Sequence, residues 1–168
     1  RWESPLYEPL VMARMKPESL DAMWRAVEKQ IPKLSPYIEA KKKLLGIDKF
    51  TWYDEFAPCG SSEKIYAYDE AASFVVDRTK SFSTHLAGFC KMAIEKKWVE
   101  AEDRPGKAGG AFCTGMGPFK QTRVFMTYAG SYENLSTLAH ELGHAYHSFV
   151  LNHAPYFASI YPMTLAET

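Results

Sequence analysis

His140-Glu141-Leu142-Gly143-His144 sets two imidazoles four residues apart with a carboxylate beside the first of them. On a helix this spacing leaves the rings about 40° apart around the axis and about 6 Å apart along it. Both can then reach one ion at about 2.0–2.1 Å, and His-Glu-x-x-His is the arrangement in which the intervening Glu serves as general base. Zinc lowers the pKa of the water it binds to about 7, so a carboxylate beside it can take that proton at neutral pH. At this chain's own content of His and Glu the pattern arises by chance in roughly one sequence in a hundred. The motif therefore has to be weighed with its surroundings.

The helix that must carry it has a capping residue in Ser131 and runs to about Leu151. With Leu135 set at 0°, Leu138, Leu142, Ala145 and Phe149 cluster near roughly 310°, a packing stripe at 3-4-3-4 spacing. His140 and His144 fall near roughly 160°, almost the opposite face, with His147 close by. A solvated helix face normally carries Lys, Arg and Glu. From Val124 to Thr168 there is no Lys or Arg, and Glu133, Glu141 and Glu167 are the only carboxylates. The histidine face is therefore expected to be enclosed and to line a cleft. The plainer alternative is a pair of histidines satisfied by packing.

A catalytic zinc site needs a third protein ligand. The longer pattern His-Glu-x-x-His-x-x-Gly-x-x-His is excluded, because His147 stands at its Gly and Val150 at its final His. Glu167, 23 residues beyond His144, suits the arrangement in which a carboxylate from a following helix completes the set. Two alternatives stay open. Thr164-Leu165-Ala166-Glu167 also reads as a capping box, and His147 shares the ligand face, as a ligand or as a packing neighbour. His153, next to Pro155, reads as a loop residue.

The elements around the motif are mostly helical. Pro17 suits a first helical turn, and Leu20, Met23, Trp24, Val27 and Ile31 recur at helix spacing until Pro32 and Pro36 interrupt them. A second stretch runs from about Tyr37 to Leu45, closed by Gly46; Ile47 to Ser62, with Pro58 and Gly60, reads as a loop. Further helices are expected over Asp69 to Thr79 and Thr84 to Lys97, with Phe82, His85, Leu86, Phe89, Met92 and Ala93 as the buried stripe of the latter. Residues 105–118 hold five of the ten glycines and read as a loop whose backbone can approach a partner closely. Thr122 to Tyr128 is the strand candidate.

Composition narrows the function classes. The net charge is zero, which gives no ground for a nucleic-acid or anionic-membrane partner. No apolar run approaches the roughly 20 residues of a membrane span, and no N-terminal signal segment is seen. Cys59, Cys90 and Cys113 are odd in number and widely spaced, which argues against a disulfide framework and a thiolate metal site. Small, partly buried apolar residues in a reducing, cytoplasmic setting are the expectation for them. Gly106-Lys107 does not make a phosphate-binding loop, since Ala108 stands where Ser or Thr is required and a strand, not a helix, follows. Of the 40 charged side chains only six lie in residues 105–168, which separates a charged helical segment, 1–104, from a charge-poor core, 105–168. Both are expected to form one continuous domain. The chain begins at Arg1 and stops at Thr168 as another helix starts, which reads as a piece of a longer protein.

Thr137-Leu138-Ala139-His140-Glu141-Leu142-Gly143-His144-Ala145-Tyr146-His147-Ser148, followed by Tyr161-Pro162-Met163-Thr164-Leu165-Ala166-Glu167-Thr168, resembles the active-site region of the oligoendopeptidase F family, zinc oligopeptidases grouped with thimet oligopeptidase. The likeness extends to Gly106-Lys107-Ala108-Gly109-Gly110-Ala111-Phe112-Cys113, to Lys43-Leu44-Leu45-Gly46-Ile47-Asp48, and to Tyr53-Asp54 before Ala57-Pro58. It implies a mainly α fold with a small β-sheet beside a deep cleft. It further implies one Zn2+ held by His140, His144 and Glu167, Glu141 as the catalytic carboxylate, and short unfolded peptides as substrates. Gly109, Gly110, Val124, Phe125 and Met126 correspond to the sheet region beside the substrate. Members of the family run on past the third ligand, with further His and Tyr residues that hold substrate. The C-terminal remainder is thus expected to be needed for a full active site. The competing reading is a non-catalytic metal-binding or helical interaction fragment, in which Glu141 has no chemical role.

Overall fold

A computed structural model describes residues 2–60 and 64–167; Ser61 and Ser62 of the expected loop, and the terminal Thr168, lie outside the described residues. The chain forms two compact units, one of residues 1–63 with 162–168 and one of residues 64–161.

In the first unit, α1 (Tyr7–Ala13) is followed by α2 (Pro17–Gln30), which opens with Pro17 in its first turn. Pro32 falls in a short 3-10 turn, Ile31–Leu34, and Pro36 in the first turn of α3 (Ser35–Leu45). Each proline thus sits where its missing N–H has no helical partner to lose. Gly46 closes α3 in the left-handed conformation, φ 66°. The apolar stripe of α2 is present at helical spacing but open: Met23, Trp24 and Val27, with Ile31 in the turn that follows, are 43–54% exposed. One side chain of α3 is buried, Lys41, whose ammonium donates to the Glu55 carbonyl at 2.5 Å. Nearby, the N–H and the hydroxyl of Thr51 both donate to the Asp54 carboxylate at 2.7 Å, and they hold that carboxyl below its usual range.

The second unit contains α4 (Tyr68–Phe82), α5 (Thr84–Glu95), β1 (Val99–Glu100), β2 (Ala111–Met116), β3 (Gln121–Met126) and α6 (Tyr132–Leu151). Phe82 does not join the stripe of α5. It ends α4 and is 88% exposed, because Ser83 leaves the helical backbone and its hydroxyl accepts from the Leu86 N–H to cap α5. His85 is likewise exposed, whereas Phe89 and Ala93 are buried and Leu86 and Met92 partly so.

The sheet has the order β1-β3-β2, with β1 parallel and β2 antiparallel to β3. Cys113 pairs with Val124 and Phe112 with Phe125. The strand β2 lies inside the segment expected to be a loop. Gly115 within it weakens intrinsic strand preference, and the ladder to β3 supplies what that preference lacks. Along β3 the burial alternates, with Thr122, Val124 and Met126 at 0–2% exposure. Val124 and Met126 pack with the α6 stripe Leu135, Leu138, Leu142 and Ala145, and with Ala71, Ala72 and Val75 of α4 and Phe89, Cys90 and Ala93 of α5. Helices dominate, as expected, with one small sheet beneath the motif helix. Among the described residues no helix is long and apolar enough to cross a membrane.

Candidate metal centre

The motif helix is fixed at its start and along one face. The Ser131 hydroxyl accepts from the Asn134 N–H at 3.1 Å, and the Asn134 side-chain oxygen accepts from the Ser131 and Ala129 N–H groups. This is a capping box with Asn at the third position. Ahead of it Gly130 has φ 87°, and a Cβ there would stand 2.8 Å from Ile65 Cγ2 and 3.3 Å from the Tyr66 carbonyl oxygen. Only glycine lets the chain turn at that point from the strand into the helix. Farther along, Phe89 of α5 packs edge-on to Tyr146 at 5.6 Å and against Phe149 at 4.9 Å, while His85 Nδ1 hydrogen-bonds the Tyr146 hydroxyl at 2.8 Å. The helix is therefore anchored at both ends.

On its other face the two histidines converge. Their Nε2 atoms lie 2.9 Å apart and their rings are nearly perpendicular, at 86°. Two nitrogens bound tetrahedrally to one zinc stand roughly 3.3 Å apart, given bonds of about 2.0–2.1 Å. The pair thus fits one ion after a small ring rotation. His140 is exposed and His144 half-buried, so the histidine face is open among the described residues rather than enclosed. The physical reason is that within residues 64–161 the sheet and the two other helices pack on the opposite face of α6.

Glu141 lies between the two faces and is buried, at 5% exposure. It stands over β2, where the thiol of half-buried Cys113 is pushed up to about 11, by its own burial first and by the Glu141 charge second. Burial likewise raises the Cys90 thiol. Cys59, Cys90 and Cys113 are free thiols; Cys90 is buried and Cys113 half-buried, in line with the expectation of small, partly buried apolar residues, whereas Cys59 is exposed.

The Gly-rich segment is held from inside by Lys107, whose side chain is 1% exposed. Its ammonium donates to the carbonyls of Glu102 and Met126, both at 2.6 Å, pairs with the Glu100 carboxylate at 2.8 Å, and lies 4.7 Å from the Phe125 ring centroid. Lys107 and Arg104 together hold the Glu100 carboxyl below its usual range. The Thr127 N–H and hydroxyl donate to the Gly110 and Ala108 carbonyls, at 3.1 and 2.8 Å, so the loop enters β2 in fixed register. Gly109 and Gly110 are exposed at that entry. Val124 and Met126 instead face the core, and Phe125 stacks on Phe112 with ring centroids 5.1 Å apart.

His147 lies against the Tyr161 ring, centroids 4.6 Å apart, and His153 is exposed beside Phe149. Glu167 is exposed and belongs to residues 162–168, outside the unit that carries the histidines. Three contributors escaped the sequence reading: the Lys107 clamp, the placement of Cys113 under Glu141, and the His85–Tyr146 hydrogen bond. An Ala111/Cys113 alternation within β2 was the available signal for the second; the other two depend on how the chain folds back on itself and left none.

Comparison with known proteins follows the same outline. Residues 10–168 match the family described as "Peptidase family M3". The chain is 32% identical over 150 residues to an oligoendopeptidase F homolog of Lactococcus lactis subsp. lactis, covering 88% of this chain and 24% of that protein. It is 31% identical over 161 residues to the chromosomal oligoendopeptidase F of Lactococcus lactis subsp. cremoris, covering 94% of this chain and 26% of that one. A crystal structure described as a peptidase from Chlamydophila abortus superposes with a TM-score of 0.79 at 27% identity, over 99% of this chain and 28% of the other. The chain spans about a quarter of the length of the curated relatives it matches.

Proposed function

Because the chain belongs to peptidase family M3, we propose that it carries the metal-binding and proton-transfer residues of a zinc-dependent oligopeptidase. The observation that carries this reading is the convergence of His140 and His144 Nε2, 2.9 Å apart, next to a buried Glu141 on the same helix. In it, His140, His144 and Glu167 hold the ion. Zinc bound there would polarise the scissile carbonyl and acidify the attacking water. Glu141 takes the proton of that water and passes it to the leaving amine. Its buried setting over β2 holds the carboxylate in one place for both transfers.

The substrate is a short peptide in extended form. Strand β3 is paired on both sides, so an incoming peptide adds to the edge strand β2, beginning at Gly109 and Gly110. Val124, Phe125 and Met126 border the peptide in this reading, the buried Val124 and Met126 by keeping β2 in register. The open histidine face is covered, in this reading, by parts of the whole protein beyond this quarter, the C-terminal remainder among them. The free thiols are in keeping with a cytoplasmic setting.

Replacing Glu141 with Gln in the intact protein tests the assignment. Zinc content, read by elemental analysis, stays the same, while hydrolysis of short peptides falls by about 10²- to 10⁴-fold. Glu167→Ala in the same experiment lowers zinc content. The depth of Glu141 favours a second reading, a purely structural carboxylate in a non-catalytic metal-binding module. Undiminished hydrolysis by the Glu141→Gln protein would leave only that second role for Glu141.

A further inference from the structure

A cleft of about 620 Å³ opens at the far end of α6, between the β2–β3 hairpin and the turn that follows the helix. Lys120, Ser148, Asn152, Tyr156, Ser159 and Tyr161 line it together with small apolar groups. It is built rather than incidental. Lys120 sits at the hairpin tip with φ 49°, and its carbonyl accepts from the Asn152 side-chain amide, which ties the hairpin to the end of the helix. Ser159 is held by a 2.6 Å bond to the Tyr156 carbonyl, and Tyr161 by its ring contact with His147.

The chemistry of this lining is one-sided. Among the described residues it offers one ammonium and several hydroxyls, and no carboxylate borders it. The C-terminal end of α6 opposes an anion with about half an elementary charge. Its last carbonyls, however, are already engaged by the N–H groups of Asn152, His153 and Ala154. A full positive charge at Lys120 outweighs that remainder. Position adds to the argument. Ser148 lies one helical turn beyond His144, about 6 Å along the axis. An extended peptide advances about 3.3 Å per residue, so the cleft is about two residues from the metal site.

We propose that this cleft seats the C-terminal α-carboxylate of the peptide substrate, with Lys120 as the recognising cation. The proposal rests on the peptidase reading above and adds to it a determinant of substrate length. A carboxylate on an internal Asp or Glu side chain offers the same chemistry, and the test separates the two sources.

The intact zinc-loaded protein is titrated calorimetrically with non-cleavable peptides, their scissile amide reduced, in three forms. One ends in a free carboxylate, one in a carboxamide, and one in a carboxamide with Glu at the same distance. The free acid is expected to bind about tenfold more tightly than the plain carboxamide, as a charge-assisted contact warrants. Lys120→Met brings that ratio to about one, and Lys120→Arg keeps it. Should Lys120→Met fail to fold, Tyr156→Phe is expected to narrow the ratio about threefold. Equal affinities for acid and carboxamide, a preference that survives Lys120→Met, or a Lys120-dependent gain seen only with the Glu peptide would each overturn the proposal. Binding is read without turnover. A protein that prefers the free acid through Lys120 yet hydrolyses no peptide upholds the cleft and refutes the peptidase reading.

Discussion

Helices α2 and α6 carry apolar stripes of the same spacing, yet their surroundings differ completely. On α2, Met23, Trp24 and Val27 remain 43–54% exposed. On α6, Leu135, Leu138, Leu142 and Ala145 are at 0–5%, seated on β2, β3 and the neighbouring helices. Amphipathic periodicity makes a helix; a complementary surface makes it immobile. Only the second kind can hold two imidazoles to within a fraction of an ångström, which a metal site requires. The convergence of His140 and His144 is therefore a property of the packing under α6 as much as of the motif on top.

The largest test of this contrast removes one side chain from each stripe. Leu138→Ala leaves a cavity at a fully buried position and is expected to cost about 2–5 kcal/mol in urea unfolding. Trp24→Ala, although it deletes more atoms, is expected to cost less than about 1 kcal/mol, because its ring is already half in water. Comparable losses at the two sites would erase the distinction.

The same contrast explains what could be read from the sequence. The motif helix was legible because its signals are local: Ser131 to cap it, a 3-4-3-4 stripe to bury, and two histidines on the reverse. Strand β2 was not, because Gly109, Gly110 and Gly115 argue for a loop and only the pairing of residues 111–116 with β3 overrides that signal. Enclosure of the histidine face was inferred from missing charge, but absence of charge says nothing about which element supplies the cover. The buried state of Lys107 was equally hidden, since its partners lie at positions 100, 102 and 126. Nothing along the chain distinguishes a clamping lysine from a solvated one.

Lys107 gives the next test, of the loop against the helix. Lys107→Met keeps the aliphatic stem and removes the ammonium, which leaves the Glu102 and Met126 carbonyls short of a buried donor. Glu100 is exposed, so water takes up its released charge. The cost is expected to be about 1–3 kcal/mol, below that of Leu138→Ala. Amide exchange should quicken at Gly110 and along β2 while α6 stays protected. Uniform quickening across both would show that loop and helix are one cooperative unit rather than two differently secured regions.

The smallest effect concerns the thiol beneath Glu141. Cys113 has its folded pKa raised to about 11, from burial first and the Glu141 charge second. A raised thiol pKa means that the folded chain keeps its proton at a pH where the unfolded chain has released it. Below the unfolded thiol range this stabilisation is fully present, and it is lost as pH climbs through about 9 towards 11. Stability should therefore fall across that window, and the fall should shrink in Cys113→Ala. Cys90 contributes a slope of the same sign, so the comparison must be made within one background. Glu141→Gln offers the sharper discrimination. It removes the charge while leaving the burial, and should reduce the slope only in part, because burial is the leading cause. A slope abolished by Glu141→Gln would reverse that order. Cys113 would then report the electrostatics of the proton-transfer carboxylate more than the packing of the strand beneath it.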